Sequence, residues 1–353
     1  MEKQVLPSEK KPGQALEPSG GASHLPSSDL IIRSEGLSKQ FSLEAGFFQK
    51  NKRTVYAVND VSLAIPRGAT YGLVGESGCG KTTTARLLAS MYKPTAGSIT
   101  FWPQTEEGAI PLHQLDKGQL RRYREQVKYI FQDPARSLNP RMTVFQVLTA
   151  ALRYSSLWRG REDAWQRAEK IIQEVGLTPA DLHRRPSEFS GGQRQRISIA
   201  RGLIMEPPLL ICDEVVSALD VSVQGQILNL LQSLRQERNL SLLFITHDLR
   251  VASYFCDIIG VMYRGMLVEE APAESLFQTA IHPYTKLLFE GAQGASATAN
   301  SEVKSVLEEE DGCPFAHRCP IVQDCCLHSI PSMQEVAESH RCRCWIEASP
   351  VPD

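Results

Sequence analysis

The chain of 353 residues contains no apolar run approaching the roughly 18 to 20 residues needed to cross a bilayer. Any work at a membrane must therefore be done through partners. It also lacks a charge surplus: 38 Lys and Arg stand against 40 Asp and Glu, a formal net charge of −2. That balance excludes the basic footprint of a nucleic-acid binder and the acidic excess of a solvating, disordered chain. Internal repeats are missing, and only one phosphate-loop pattern is present. Met1–Ser28 is rich in Pro, Gly, Ser and charge but has no apolar stretch of the kind a signal peptide requires, and is expected to be a disordered tail. Cysteine is sparse until the last quarter, where six of the nine fall between Cys313 and Cys344. With no secretory signal a reducing cytoplasm is expected, so this cluster points to a metal or cluster site before a disulfide framework.

What is present is a chain long enough for one large α/β unit and an appendage, with 42% hydrophobic residues. Leu30–Ile32 and Val58–Ile65 alternate as antiparallel strands do, and predict an N-terminal β layer. Thr70–Val74, Val127–Phe131, Leu209–Cys212, Leu242–Thr246 and Ile258–Tyr263 are short apolar runs separated by helical stretches. Such alternation predicts a largely parallel sheet covered by helices. Lys81–Tyr92 has helical character until Lys93-Pro94. Between Ser137 and Glu188 the strand signal gives way to helical spacing at Val144–Leu152 and Glu162–Val175, an inserted helical subdomain. Arg264-Gly265 predicts a hairpin turn, and Gly291–Ser301 a low-complexity bridge to the Cys-rich tail.

Gly75-Glu76-Ser77-Gly78-Cys79-Gly80-Lys81-Thr82 satisfies the Walker A pattern between a predicted strand and a predicted helix. Glycines let successive amides face anionic oxygens, Lys81 adds charge toward the β and γ phosphates, and the Thr82 hydroxyl, with Thr83 beside it, is placed for Mg²⁺. Leu209–Glu214 is an apolar strand ending in two carboxylates. Asp213 is then expected to reach Mg²⁺ and Glu214 to polarise the water that attacks the γ-phosphate. Phe189-Ser190-Gly191-Gly192-Gln193 opens a further helix, with Ser190 as its cap and bare amides behind it forming a second anion site.

This last element resembles the ABC signature motif, and with both Walker motifs the chain is similar to the ATP-hydrolysing subunits of ABC transporters. The resemblance implies a P-loop NTPase with a RecA-like core, an N-terminal antiparallel β subdomain, an inserted α-helical subdomain at about 137–190 and a Cys-rich C-terminal extension. The implied division is a tail at 1–28, the ATPase domain at 29–290, and linker plus extension at 291–353. It also implies that ATP lies between one chain's phosphate loop and the Ser190, Gly191, Gly192 and Gln193 of a second ATPase subunit. Further landmarks follow in order: Gln132, contacting Mg²⁺ or the attacking water; Asp220, organising the opposite site; and His247, touching the γ-phosphate. Phe41 resembles the aromatic on which adenine stacks, with Tyr56 as a competing ring.

Within that family, Phe131–Arg141, His282-Pro283-Tyr284-Thr285 and the tail Gly312–Pro320 resemble the ATPase subunits of dipeptide, oligopeptide and nickel importers. Val216–Gln224 leans toward the second of the two such subunits. Val215 departs from the proline or alanine usual after the catalytic glutamate. The resemblance implies two membrane permeases as partners, a solute-binding protein reached through them, and a place at the cytoplasmic face of the membrane. Peptides lead as cargo, with nickel chelates, glutathione and opines behind. The family's spacing selects Cys313, Cys319, Cys326 and Cys344 as thiolate ligands, for a [4Fe–4S] cluster before zinc. Nucleic acid is not expected as a partner, because the basic run of Arg184, Arg185, Arg194, Arg196 and Arg201 has no interleaved aromatics.

Overall fold

A computed structural model describes residues 29–43, 53–103, 108–292 and 312–345. The expected N-terminal tail and the bridge after residue 292 lie outside the described residues. In chain order the strands are β1 (Leu30–Leu43), β2 (Arg53–Pro66), β3 (Thr70–Val74), β4 (Ala96–Phe101), β5 (Ile110–Pro111), β6 (Val127–Ile130), β7 (Leu209–Asp213), β8 (Ser241–Thr246), β9 (Ile258–Tyr263), β10 (Met266–Pro272), β11 (Gln334–Ala337) and β12 (His340–Cys342). The helices are α1 (Lys81–Leu88), α2 (Lys117–Gln126), α3 (Pro134–Ser137), α4 (Val144–Leu152), α5 (Arg161–Glu174), α6 (Gly191–Leu203), α7 (Val221–Arg238), α8 (Leu249–Phe255), α9 (Ala273–Thr279), α10 (Pro283–Ala292) and α11 (Asp324–His328). Among the described residues no helix is long and apolar enough to cross a membrane.

Eight strands form the larger sheet in the order β11-β12-β10-β9-β3-β8-β7-β6. From β6 to β9 every pairing is parallel. Strands β3, β7 and β8 are buried at every position, which is why they read as unbroken apolar runs. Their alternate side chains serve two cores. Val74, Cys212 and Phe244 join the helices of the inserted region and α6–α8, whereas Leu73, Ile211 and Ile245 join α1 and the smaller sheet. The smaller sheet has the order β2-β1-β4-β5 and is antiparallel. Between Phe131 and Pro208 the described chain is helix and 3₁₀ turn without a strand, matching the expected insertion.

The structure differs from expectation in two local respects. Helix α1 stops at Leu88 because Ser90 takes a left-handed conformation (φ 54°), and the amides of Met91 and Tyr92 both turn back to the Arg86 carbonyl. Strands β4 and β5 and helix α2 occupy a stretch with little periodicity, and β4 is held by long-range pairing to β1.

The C-terminal extension adds two strands to the edge of the main sheet: β12 pairs with β10, and β11 with β12. The seam is ionic. The Glu270 carboxylate takes hydrogen bonds from Tyr71 (2.5 Å) and Arg341 (2.6 Å), and Glu269 accepts from the amides of Ile281 and His282 with His340 Nε2 2.8 Å away. Arg343 donates to the Leu267 carbonyl and to Asp60 Oδ2. Since both glutamates are buried, each partner removed leaves a charge without compensation. Arg341→Ala is therefore expected to destabilise the protein by about 3 kcal/mol in urea unfolding. A loss under about 0.5 kcal/mol, the range of ordinary surface changes, would show that the seam does not hold the extension.

Candidate functional site

The phosphate loop leaves the end of β3 and runs from Gly75 into α1. Gly80, at the helix N-cap, has φ 108°, and a Cβ there would lie 2.4 Å from the Ala57 carbonyl oxygen, so only glycine fits. Lys81 is only 4% exposed, and its ammonium donates to the carbonyls of Gly75 (2.6 Å) and Glu76 (2.8 Å). Ser77 and Gly78 form the exposed crest, and Cys79 is buried, with burial pushing its thiol pKa up. Thr82 and Thr83 share the first turn of α1, where backbone amides are free of intrahelical partners.

The Thr82 hydroxyl donates to Asp213 Oδ1 at 3.0 Å, which joins the two Walker elements through one contact. Burial raises the Asp213 pKa; hydrogen bonds from Tyr129 and Thr82 oppose that shift, and Glu214 adds to it. Glu214 follows in a left-handed conformation (φ 49°), with its amide bonded to the Ile245 carbonyl. Its carboxylate accepts from Gln132 Nε2 at 2.7 Å and lies 3.8 Å from His247 Nδ1. Thr82, Asp213, Glu214, Gln132 and His247 thus converge, although they come from four separate stretches of chain. Val215, the departure noted in the sequence, is buried in the helical-side core.

Ser190 caps α6 with a reciprocal box: its hydroxyl accepts from the Gln193 amide and the Gln193 side chain accepts from the Ser190 amide. A Cβ on Gly192 would meet the Val223 side chain at 2.7 Å, so the signature turn packs against the start of α7. Asp220 caps α7, accepting from the Val223 amide (2.9 Å) and the Ser222 hydroxyl (2.7 Å); these bonds hold its carboxyl below the ordinary range. Ser190 and Asp220 are both exposed. A cavity of about 80 Å³ beside the phosphate loop is lined by Val55, Tyr56, Ala57, Glu76–Cys79 and Tyr263–Gly265, with no residue of the signature turn. Tyr56, not Phe41, borders this cavity. Phe41 meets Tyr92 edge-on at 5.6 Å, under the Lys39 ammonium.

Three contacts escaped the sequence reading. Tyr129 donates to Asp213 Oδ2 at 2.5 Å, Tyr284 accepts from the Glu76 amide at 2.9 Å, and Arg318 forks onto the Glu76 carboxylate. The first had a faint signal, a phenol in the short strand that leads to Gln132; the others depend on long-range docking.

None of the nine cysteines is in a disulfide. Cys313, Cys319, Cys326 and Cys344 line one cavity of about 20 Å³ together with His282, Phe315 and Trp345, while Cys325 is exposed outside it and Cys342 is buried in β12. Burial, followed by the neighbouring thiols, pushes the Cys313 pKa up. Among the described residues no group of three or more His, Cys, Asp or Glu is arranged to hold a metal ion.

Comparison with known proteins agrees with this geometry. The ABC transporter family model matches residues 58–217, and the oligopeptide/dipeptide transporter C-terminal region matches 268–326. The chain is 40% identical to a probable peptide ABC transporter ATP-binding protein of Sinorhizobium fredii, covering 91% of each chain. To the oligopeptide transport ATP-binding protein AppF of Bacillus subtilis it is 38% identical, over 90% of this chain and 98% of that one. Among solved structures it resembles an ATP-binding cassette dimer in a post-hydrolysis state bound to ADP and Pi, with TM-score 0.59 and 26% identity over 69% of this chain and 99% of that one. CbiO1 of Clostridium perfringens, at 24% identity over 70% of this chain and 91% of that one, shares the fold with the same TM-score. A phosphate loop coupled to a paired carboxylate strand, a capped signature helix and this breadth of similarity make one conclusion: the chain belongs to the ABC transporter family, as an ATP-hydrolysing subunit bearing the oligopeptide/dipeptide transporter C-terminal region.

Proposed function

We propose that the protein energises a peptide importer, hydrolysing ATP in a pair of ATPase subunits docked on two permeases at the cytoplasmic face of the membrane. The observation that carries this reading is the convergence of Gln132 and His247 on Glu214, next to the Thr82–Asp213 contact. The peptide cargo is supported by the relatives, described as peptide or oligopeptide transport ATP-binding proteins, and by the C-terminal region. A solute-binding protein would deliver the peptide to the permeases. The reading keeps 29–290 as the ATPase domain and 291–353 as linker and extension, of which residues 312–345 are described.

Each group then has a role. Lys81 and the loop amides beyond Glu76, whose own amide is taken by Tyr284, hold the phosphates. The Thr82 hydroxyl and Asp213 carboxylate, adjacent oxygen donors, fit a hard divalent cation. Mg²⁺ held there would supply charge neutralisation for the triphosphate. Glu214, oriented by Gln132, polarises the attacking water, and His247 faces the γ-phosphate. Ser190, Gly191, Gly192 and Gln193 serve the partner's nucleotide, and Asp220 organises it; the exposure of Ser190, Gly191 and Asp220 and the absence of all five from the loop cavity support a role in trans. Closure on ATP needs about 5 kcal/mol of preference to run nearly from one state to the other, and two bridged triphosphates would supply it. Gln132 and the helical insertion carry the motion to the permeases.

We extend the proposal to a structural ligand at the four-cysteine cavity, which would have to draw the thiols together, since they are not arranged for a metal ion in this structure. Four thiols around one apolar space match the donor set of a [4Fe–4S] cluster, with zinc as the alternative. When bound, such a centre would cross-link four separate points of the extension; the ATPase cycle itself calls for no electron.

Glu214→Gln should retain MgATP while turnover falls by about 100-fold or more. Unchanged ATPase activity in that variant would remove Glu214 from the mechanism. For the cysteine cavity, protein purified anaerobically should carry about four irons with matching sulfide and a broad visible absorbance, both lost in Cys319→Ser. Colourless protein with stoichiometric zinc would defeat the cluster reading.

A further inference from the structure

Glu76, the second residue of the phosphate loop, brings a carboxylate to the mouth of a site for a polyanion. An uncompensated negative charge there opposes a triphosphate. In this structure the carboxylate is held by the extension: Arg318 Nη1 donates to Oε2 at 3.1 Å and Nη2 to Oε1 at 3.0 Å, a bidentate fork. The backbone of Glu76 is also held, its amide by the Tyr284 hydroxyl (2.9 Å) and its carbonyl by the Lys81 ammonium (2.8 Å). Arg318 lies 242 residues away along the chain, at the end of a 3₁₀ turn. Its guanidinium is seated 5.7 Å from the Phe315 ring and 5.8 Å from the Tyr263 ring, both buried. Tyr263, Tyr284 and Phe315 pack mutually with centroids 4.6 to 5.5 Å apart, so the turn is braced against the wall of the loop.

We propose that Arg318 is a positioning residue for nucleotide binding: it neutralises Glu76, turns that carboxylate away from the phosphates and fixes the loop, so that the extension completes the ATP site of its own chain. This rests on the reading of Gly75–Thr82 as the triphosphate grip. Because Arg318 and Glu76 remain 20% and 28% exposed, solvent screens part of the effect.

The test is MgATP affinity of the full-length chain by titration calorimetry, with steady-state ATPase in the complete transporter. Arg318→Ala should weaken MgATP about threefold to tenfold, raising KM while kcat stays within about twofold. Arg318→Lys should recover part of the affinity, since an ammonium restores the charge but not the fork. In a Glu76→Gln background, Arg318→Ala should change affinity less than about twofold, because the charge to be neutralised is gone. Wild-type affinity in a folded Arg318→Ala chain, or equal weakening in both backgrounds, overturns the proposal. Should Arg318→Ala fail to fold, the Arg318→Lys variant in the two backgrounds decides in the same way: a loss confined to the Glu76 background supports the proposal, and an equal loss in both refutes it. Lys81→Ala separates this from the underlying reading: wild-type MgATP affinity there would overturn the phosphate grip itself.

Discussion

A lysine ammonium with 4% exposure, held by the carbonyls of Gly75 and Glu76, is the constraint around which the rest of the site is arranged. Taking a cation out of water is costly, and carbonyl dipoles offset the cost only partly. The loop can curl around that ammonium because β3 is a central strand, buried on both faces, with parallel neighbours on either side. Close approach of the Ala57 carbonyl to Gly80 closes the loop from the small-sheet side. The loop is therefore packed at its base and exposed at the crest of Ser77 and Gly78.

Around this cationic centre stand three carboxylates, and each has its own restraint. Asp213 is held by Thr82 and Tyr129, Glu214 by Gln132, and Glu76 by Arg318. Without such restraints, acidic groups beside a triphosphate would repel it and one another. With them, in the proposed reading, Asp213 is left to a cation and Glu214 to a water, while Arg318 neutralises Glu76. Arg86, hydrogen-bonded to Tyr92, also interacts with Tyr129 and so links the Asp213 network to the last turn of α1.

The C-terminal extension belongs to this arrangement and is no loose appendage. Its strand β12 continues the sheet that carries the site, its arginines neutralise two buried or half-buried carboxylates, and its aromatic turn meets the phosphate loop. The same short segment holds the cysteine cavity. A change in the extension therefore has a direct physical route to nucleotide, through covalent neighbours and one ion pair.

How much of this was legible in the sequence depends on the range of the interaction involved. The phosphate loop, the carboxylate-ended β7, the capped α6, the buried parallel strands and the Arg264-Gly265 hairpin were readable, because each needs only residue types at short, fixed spacing. The helical insertion was readable for the same reason, through its apolar periodicity. By itself, the sequence therefore determined the chemistry of ATP and the class of fold. Tertiary structure alone decided where α1 ends, that β4 and β5 pair beside β1, and that Tyr56 instead of Phe41 borders the loop cavity. It also brought Cys313, Cys319, Cys326 and Cys344 around one space while Cys325 and Cys342 faced elsewhere, and set Arg318 on Glu76. These outcomes hang on contacts between residues far apart in the chain, whose partners no local spacing can specify until the sheet has been assembled.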